Sequence, residues 1–315
     1  MTYTVVIRTL GKAGVAYQTM LESLAKQTIK PSAIIVYIAE GYSLPEYTSD
    51  TEQYIYVKKG MVAQRALRYG EVSTEYILFL DDDVYLPPTA VETLYKELVE
   101  HKGNVISPCV FYNHKASIKS KIIRSLTAKE VCRFWGDRWA YKVQRTTGFS
   151  YLNNPAKPVY ESQTNAGPCF FCKKEDFLKI NYEEEMWLDK TPYALPDDQV
   201  MFYKMHLCEL KVLTSFDSGI VHLDAGSTTA NSEDRLANLI YSEYRNKLIF
   251  WYKFIYGYEK SAVKKMWAVV CLLYSYGVQM IKYALHYLFG KKNIAKAFFS
   301  GISDAILFIK KQDYV

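Results

Sequence analysis

The sequence predicts an α/β protein with a Rossmann-like, mostly parallel sheet flanked by helices, and with a helical C-terminal extension. Within the first 80 residues lie four short apolar runs rich in β-branched and aromatic residues, and amphipathic stretches separate the first two and the last two. Beyond residue 230 the apolar residues recur at helical spacing. A chain of 315 residues, half of them apolar, has enough material for one large core, or for one core and a smaller appendage.

The apolar runs are predicted to be strands of one sheet. Residues 15–27 are predicted to form the first helix, since apolar side chains recur there at helical spacing and Pro31 lies just past the end. Residues 61–69 and 89–100 are predicted to be helices too. Strands that alternate with helices favour a parallel sheet, and such sheets bind ligands at the carboxyl ends of their strands. The predicted strands are residues 5–7, 34–38, 54–57 and 76–80.

The second half of the chain combines an irregular part with a helical part. Residues 107–164 are irregular and rich in aromatic side chains, and we interpret them as an insertion that contacts the substrate. Residues 1–230 form the predicted sheet domain, including this insertion, and residues 231–315 form the helical tail. Further elements are predicted at residues 198–207 (helix), 212–213 (strand) and 235–256 (helix).

The tail carries the positive charge of the chain. The formal net charge is +6, and residues 245–315 hold twelve Lys and Arg against three acids. Residues 266–281 are apolar but fall short of the roughly twenty residues that a spanning helix needs, so this stretch could span only if Lys282 snorkels. Residues 294–309 form a second amphipathic segment flanked by lysines, which suits an anionic membrane surface. We expect peripheral membrane contact, with a packed helical cap or a homo-oligomer interface as the alternatives.

Other partners and compartments are less consistent with the composition. Nucleic acid is not an expected partner, because the basic residues interleave with apolar stretches rather than with a groove-reading motif. The first ten residues resemble a strand and not a signal peptide, and six scattered cysteines fit a reducing compartment. Cys169 and Cys172 form a CxxC in an apolar run, where buried thiols are favoured over a redox or zinc site. We expect a cytoplasmic protein, peripheral on the inner face of the cell membrane.

Three consecutive acids, Asp81, Asp82 and Asp83, directly follow the apolar run at residues 76–80. Carboxylates there are costly unless they are solvated, hydrogen-bonded or bound to a cation. In an extended chain Asp81 and Asp83 would point the same way and could address one ligand together. The alternative is that the acids simply lie near the N-terminus of the helix at residues 89–100. Metal or diphosphate binding and this structural role both remain open.

Five segments carry a resemblance to a known family. They are residues 5–9 (Val-Val-Ile-Arg-Thr), 21–28 (Leu-Glu-Ser-Leu-Ala-Lys-Gln-Thr), 34–41 (Ile-Ile-Val-Tyr-Ile-Ala-Glu-Gly), 63–66 (Ala-Gln-Arg-Ala) and 80–83 (Leu-Asp-Asp-Asp). In this order they resemble the motifs of family 2 inverting glycosyltransferases of the GT-A fold. The sequence departs from that pattern where Arg8 replaces a proline, Gly11 an asparagine, and Ala39-Glu40 a pair of acids.

The resemblance implies a nucleotide-sugar site in the first half of the chain. Asp81 would contact the ribose, and Asp83 would bind Mn²⁺ or Mg²⁺ that bridges the diphosphate. Glu40 would meet the base, while Arg65 would either assist at the phosphates or form a structural salt bridge. Together with the loop glycine described next, the residues assigned to the nucleotide sugar are Thr9, Glu40, Arg65, Asp81, Asp82 and Gly167.

Three motifs in the second half resemble the rest of such a site. Residues 163–171 resemble a loop in which Gly167 lets the donor sugar lie against the backbone, although a plain turn would need glycine too. Asp197 and Asp198 match an acidic pair that opens a helix, and both are assigned to the catalytic site, with Asp198 as the base and Asp197 also suited to capping the helix. His222 resembles a histidine that completes the metal shell, and imidazole with oxygen ligands suits Mn²⁺.

The resemblance covers roughly residues 1–250 and is weak in the middle. At its end, residues 243–247 (Glu-Tyr-Arg-Asn-Lys) are similar to a helix of rhamnosyltransferase-like bacterial members. It implies transfer of a sugar from a UDP or dTDP donor to a glycan or lipid-linked acceptor, in cell-surface polysaccharide biosynthesis. A sugar nucleotidyltransferase is an alternative, but it normally has a glycine-rich basic loop after the first strand, which residues 11–14 match only faintly. A non-catalytic, membrane-associated scaffold or glycan-binding protein of the same fold is the other alternative.

Overall fold

A computed structural model of the chain describes residues 1–110, 117–126, 139–152, 158–223 and 232–311. The strands in these ranges are β1 (Tyr3–Thr9), β2 (Ala33–Ala39), β3 (Glu52–Val57), β4 (Tyr76–Asp81), β5 (Val84–Tyr85), β6 (Val105–Pro108), β7 (Tyr141–Val143), β8 (Ser150–Leu152), β9 (Val159–Ser162), β10 (Cys169–Lys173), β11 (Val212–Ser215) and β12 (Val221–His222). The helices are α1 (Val15–Ala25), α2 (Ala90–Glu100), α3 (Ile118–Leu126), α4 (Lys174–Leu178), α5 (Asp197–Leu207), α6 (Glu233–Phe250), α7 (Ala262–Leu288) and α8 (Lys292–Lys311).

Eight of these strands form one sheet in the order β3-β2-β1-β4-β10-β6-β11-β9. Strands β1 to β4 are parallel neighbours, whereas β10 runs antiparallel between β4 and β6. The predicted α/β architecture and its first four strands are therefore confirmed. Two short antiparallel pairs, β5 with β12 and β7 with β8, lie outside this sheet.

The apolar runs are continuous because both faces of the sheet are covered. Along β1, Val5 and Ile7 pack on one face with side chains of α1 and α2, and Val6 packs on the opposite face with residues of α5 and α6. This alternation is the two-residue period of a strand, with both sets of side chains buried. The sheet core thus fixes the carboxyl ends of β1 and β4 side by side, in a register that pairs Arg8 with Asp81.

The helix predicted at residues 61–69 is absent, and this prediction is wrong. The segment forms successive turns in which the Asp189 carboxylate accepts hydrogen bonds from the backbone N–H groups of Val62 (3.1 Å) and Ala63 (2.9 Å). Tyr69 has a positive φ of 51° and a fully buried ring. The apolar spacing there reflects two anchors in the core, Val62 and Tyr69, rather than the face of a helix.

The insertion predicted at residues 107–164 is only partly separate from the sheet domain. Its described parts are the end of β6, α3, the β7–β8 hairpin and β9, and β9 closes the edge of the large sheet beside β11. Residues 111–116, 127–138 and 153–157 of the insertion lie outside the described residues. Contact between this segment and a substrate stays a prediction.

The other predicted helices are confirmed with small changes. The first helix ends at Ala25, and the helix predicted at residues 198–207 begins one residue earlier, at Asp197. The long helix predicted to run to residue 256 ends at Phe250 and continues as a π-helical turn, Trp251–Tyr256. Cys169 and Cys172 lie buried on β10 as free thiols, and burial raises the pKa of both. The structure thus agrees with the reading of this CxxC as two core thiols.

The amphipathic segment at residues 294–309 packs on the protein with one face, whereas Phe299, Ile306 and Leu307 are exposed, so contact of this segment with a membrane stays a prediction. The Phe298 ring is fully buried between the rings of Tyr244 (centroids 4.6 Å apart) and Tyr283 (4.3 Å). A Cβ on Gly301 would lie 2.7 Å from the Tyr241 carbonyl oxygen, so α8 and α6 are in backbone contact. The inner face of α8 thus forms a packed helical cap, the alternative that the sequence analysis named.

Candidate functional site

A cavity of about 260 Å³ opens at the carboxyl ends of β1 and β4. Parallel strands end at one edge of a sheet, so the short polar segments after β1 and β4 meet there. The turn that replaces the predicted helix at residues 61–69 closes one side. The polar side chains that line the cavity include Arg8, Thr9, Lys12 and Gln64, the three consecutive acids, and His222.

The three acids have three different partners. β4 ends at Asp81 and the chain turns through Asp82 and Asp83, so the extended backbone assumed for these acids is absent, although all three line the cavity. Asp81 accepts hydrogen bonds from Arg8 Nε (2.5 Å) and Nη2 (3.0 Å). Asp82 accepts one from the Thr9 hydroxyl, and Asp83 Oδ1 lies 3.0 Å from His222 Nε2.

These partners set the charge of the first two acids. Burial disfavours ionisation of Asp81, but the Arg8 charge and its hydrogen bonds outweigh burial, so the pKa of Asp81 lies below its ordinary value. Burial raises the pKa of Asp82 to about 6, and the charges of its neighbours add to this effect. Asp81 therefore stays ionised to a lower pH than Asp82.

Asp83 and His222 form the part of the site that fits a divalent cation. The antiparallel pair of β5 and β12 fixes them, with a hydrogen bond from Leu223 N to the Asp83 carbonyl oxygen (2.8 Å). A carboxylate and an imidazole suit Mn²⁺, and diphosphate oxygens and water would have to complete the shell. In the described ranges no group of three or more His, Cys, Asp or Glu could hold an ion by itself. Residues 224–227, which belong to the histidine motif, lie outside these ranges.

Asp198, at the N-terminus of α5, does not line this cavity but is joined to it through Arg65, which also contacts Asp81. Its Oδ1 is 2.9 Å from Arg65 Nη1, and its Oδ2 accepts a hydrogen bond from the Gly167 backbone N–H (2.9 Å). A Cβ on Gly167 would lie 1.8 Å from Asp198 Oδ1. The glycine in this loop therefore makes room for the Asp198 carboxylate, a reason that the sequence did not suggest.

Arg65 joins the two halves of the site. Its side chain is 3% exposed, and Nη2 contacts the Gly167 carbonyl oxygen (3.0 Å) and Asp81 Oδ1 (3.5 Å) while Nη1 contacts Asp198. Of the two roles predicted for Arg65, the structure shows the salt bridge. A guanidinium is suited to it because its planar set of donors can bind several acceptors at once.

Arg8 is the site residue that the sequence reasoning missed. It was noted only as a departure from the family pattern, although its position just before the end of β1 places it beside the acids that follow β4. In addition to Asp81, its Nη1 lies 3.7 Å from Asp197 Oδ2. The signal was an arginine in an otherwise apolar strand, where a buried cation requires anionic partners.

Asp197 does not cap α5, contrary to the prediction. The residue before the helix is Pro196, and no side chain makes a capping hydrogen bond. Asp197 is buried, and its Oδ2 accepts no hydrogen bond from the described residues, with Arg8 and Arg65 3.7 and 3.8 Å away. Burial, followed by the nearby Asp198 charge, raises the pKa of Asp197 to about 7, and the two arginines oppose this shift.

Relative to wild type, an Asp197→Asn variant should be more strongly stabilised at pH 8 than at pH 5. The folded-state pKa of about 7 lies above the unfolded value of about 4, so stability from this group is lost as the pH rises between those values. Asparagine removes this cost. We expect the melting temperature of the variant minus that of wild type to be ~4 °C larger at pH 8 than at pH 5. An equal difference at both pH values would show that Asp197 ionises normally.

The loop before α5 is held from behind by α6. Asn246 is fully buried, and its Nδ2 donates hydrogen bonds to the Leu195 carbonyl oxygen (2.8 Å) and to Thr191 Oγ1 (3.0 Å). Arg245 Nη1 donates to Asn246 Oδ1 (2.7 Å) and the guanidinium lies over the Phe308 ring of α8. The Arg-Asn pair of the motif at residues 243–247 thus supports the segment that carries Asp197 and Asp198.

Glu40 is the predicted site residue that lies apart from the others. It follows β2, is exposed, and does not line the cavity, although its backbone N–H is fixed by the Val57 carbonyl oxygen (2.8 Å). Its contact with a nucleotide base stays a prediction.

No protein-family model matches the sequence, and no curated protein matches it. The fold is similar to the crystal structure of GalNAc-T7 with UDP, GalNAc and Mn²⁺, with a TM-score of 0.52 and 13% identity over 90% of this chain and 57% of that chain. S. aureus TarS matches at a TM-score of 0.42 and 12% identity, over 95% of this chain and 55% of that one. This chain thus spans little more than half the length of either. The similarity to GalNAc-T7 shows the GT-A fold, as predicted from the sequence.

Proposed function

We propose that this protein is a metal-dependent, inverting glycosyltransferase of the family 2, rhamnosyltransferase-like type. It transfers a sugar from a UDP or dTDP donor to a hydroxyl group of a glycan or lipid-linked acceptor, in cell-surface polysaccharide biosynthesis. The observation that carries the proposal is Arg65, which contacts both Asp81 at the end of β4 and Asp198 at the start of α5. This contact supports a donor site and a candidate base at one edge of the sheet.

The donor half of the site is the cavity at β1 and β4. Asp83 and His222 would hold Mn²⁺ or Mg²⁺, which when bound neutralises the charge that develops on the leaving nucleoside diphosphate. Asp81, kept ionised by Arg8, can accept hydrogen bonds from ribose hydroxyl groups. UDP and Mn²⁺ in the structure of GalNAc-T7 support this reading of the cavity.

The acceptor half is built around Asp198. Its carboxylate is fixed by Arg65 and the Gly167 N–H, yet about a third of the side chain is exposed, so an acceptor hydroxyl can reach it. The acceptor oxygen attacks the anomeric carbon from the face opposite the diphosphate, Asp198 takes its proton, and the bond to the diphosphate breaks. This sequence of bond changes inverts the anomeric centre.

Part of the sequence signal for the nucleotidyltransferase alternative has a structural explanation. In the loop at residues 11–14, Gly11 has a φ of 69°, and a Cβ there would lie 2.3 Å from the Ser43 carbonyl oxygen. Chain packing therefore accounts for this glycine without a phosphate.

Titration of UDP, dTDP and GDP by calorimetry tests the donor site. We expect one nucleotide to bind in the presence of Mn²⁺ and to lose at least ~10-fold in affinity with EDTA or in the Asp83→Ala variant, because the diphosphate then lacks its counter-charge. Asp50→Ala, which removes an exposed carboxylate in a loop, is the matched control and should bind normally. If no nucleotide binds to the folded protein, the donor site is wrongly assigned and the scaffold alternative is favoured.

A further inference from the structure

Two helices expose large apolar side chains to solvent. In α3 the residues Ile118, Ile122, Ile123 and Leu126 are 50–79% exposed, and in α7 Met266, Trp267, Val270, Leu273, Tyr274 and Ile281 are 50–66% exposed. Apolar patches of this kind are rare on monomeric proteins and usually mark an interaction site. We refer to these ten residues as the α3–α7 surface.

The α3–α7 surface is continuous because the two helices touch. The Tyr274 hydroxyl, in the middle of α7, donates a hydrogen bond to the carbonyl oxygen of Leu126 at the end of α3 (3.0 Å). The opposite face of α7 is buried against the protein, with Leu272, Tyr276 and Tyr283 in the same core cluster as residues of α6 and α8. One face of α7 thus holds it to the protein while the other remains exposed.

The charge of both helices indicates the occupant. Neither α3 nor α7 contains an Asp or Glu, and together they hold six Lys and Arg. An anionic lipid surface complements apolar side chains that are interleaved with cations. A second copy of this chain docked on the same surface would instead bring the two sets of cations together, since a two-fold interface is self-complementary.

We propose that the α3–α7 surface binds an anionic lipid bilayer, with both helices lying in the plane of the interface. α7 has 27 residues and is the helix, among those described, that is long and apolar enough to cross a membrane. Its buried face argues against crossing, because Gln279 is 1% exposed there and accepts a hydrogen bond from the Tyr244 hydroxyl (2.9 Å). Unlike the tail segment expected from sequence, this surface excludes the inner face of α8 and includes α3.

Such a surface would favour a lipid-linked acceptor over a soluble glycan, a consequence that rests on the proposed function. The Ser107 hydroxyl at the end of β6 donates to the Ala166 carbonyl oxygen (3.0 Å), beside Gly167. The strand that precedes α3 in the sequence, β6, therefore ends next to the loop that contacts Asp198. Lipid binding itself needs neither donor nor acceptor, so it is tested separately from glycosyl transfer.

Vesicle flotation with the full chain tests the surface. Wild-type protein should float with phosphatidylcholine vesicles that contain phosphatidylglycerol, at least ~10-fold more than with phosphatidylcholine alone. A double variant, Ile122→Glu with Leu273→Glu, should lose this binding and keep its fold, because both side chains are exposed. Val99→Glu, at a 55% exposed apolar residue of α2, is the control and should float like wild type.

Brominated lipids give a second readout that does not depend on the double variant. Trp267 is 62% exposed on the α3–α7 surface, whereas Trp187 and Trp251 are buried in the core and Trp139 is half-buried. Trp135 lies outside the described residues, so the measurement uses a Trp135→Phe background. Bromine near the headgroups should quench tryptophan emission in that background and much less when Trp267→Phe is added. Three results would overturn the proposal. They are absence of flotation with either vesicle, retention in membranes after alkaline carbonate, which indicates a spanning helix, and a dimer that Leu273→Glu dissociates.

Discussion

Replacing Asp198 with asparagine should lower turnover by about 10³-fold and leave nucleotide binding intact, since a positioned general base typically contributes 10²- to 10⁴-fold. Asparagine keeps the size of the side chain and an oxygen that can accept the Gly167 N–H, but it cannot take a proton from the acceptor. The measurement is the rate of nucleoside diphosphate release with the donor that calorimetry identifies. Affinity for that nucleotide with Mn²⁺, measured on the same variant, separates lost chemistry from a lost site.

Asp197→Asn is the informative comparison for this prediction. Asp197 is the neighbouring carboxylate, and its pKa of about 7 would also suit a base near neutral pH. It is buried, however, and faces the guanidinium groups of Arg8 and Arg65 rather than the solvent. If turnover falls in Asp197→Asn and stays normal in Asp198→Asn, the base is Asp197 and our assignment is wrong.

The sequence predicted the first half of the sheet well, because strands that are buried on both faces consist of continuous apolar runs. It could not place β10 between β4 and β6, since β10 pairs with residues 89 to 97 positions earlier in β4 and 65 to 67 positions earlier in β6, and no local pattern encodes either pairing. The false helix at residues 61–69 has a similar cause. Its apolar residues are buried by distant partners, and the Asp189 carboxylate binds the backbone N–H groups there.

Which residues form the site was easier to predict from the sequence than which partners their side chains contact. Asp81, Asp83 and Asp198 lie in one region, as motif order suggested, because strand ends and helix starts meet at one edge of the sheet. Their partners depend on single turns, such as the one after Asp81, and on cations that the pattern did not include. Arg8 is the clearest example, since its role follows from a sheet register and not from its neighbours in sequence.

Amphipathic helices pose a general ambiguity that α7 and α8 illustrate. Each has an apolar face and flanking lysines, so composition alone suits lipid and protein partners equally. For the inner face of α8 the structure shows a protein partner, because Phe298 packs against Tyr244 of α6 and Tyr283 of α7. The outer face of α7 remains exposed in the structure. The helix α3, which the sequence pattern did not predict, adds to this exposed apolar surface.

Replacing Gly167 with alanine should lower turnover by at least ~10²-fold while the affinity for the donor changes little. The new Cβ would lie 1.8 Å from Asp198 Oδ1 and 2.9 Å from Arg65 Nη1, so the Asp198 side chain must rotate away. It then loses the Gly167 N–H and the Arg65 ion pair, and its carboxylate leaves the position from which it can take a proton. Misplacement of a catalytic group by about 1 Å costs on the order of 10²-fold. Turnover and the KM for the donor, measured separately, test this.

The separation of turnover from KM decides why this loop needs glycine. If Gly167 only lets the donor sugar lie against the backbone, alanine should raise the KM for the donor and leave the bound complex reactive. If it makes room for Asp198, the loss should lie in turnover, because the donor half of the site is intact. Gly70→Ala is the matched control, since no atom lies within 4 Å of a Cβ there. A Gly167→Ala enzyme with normal turnover would contradict the contact between Gly167 and Asp198 on which the proposed acceptor site depends.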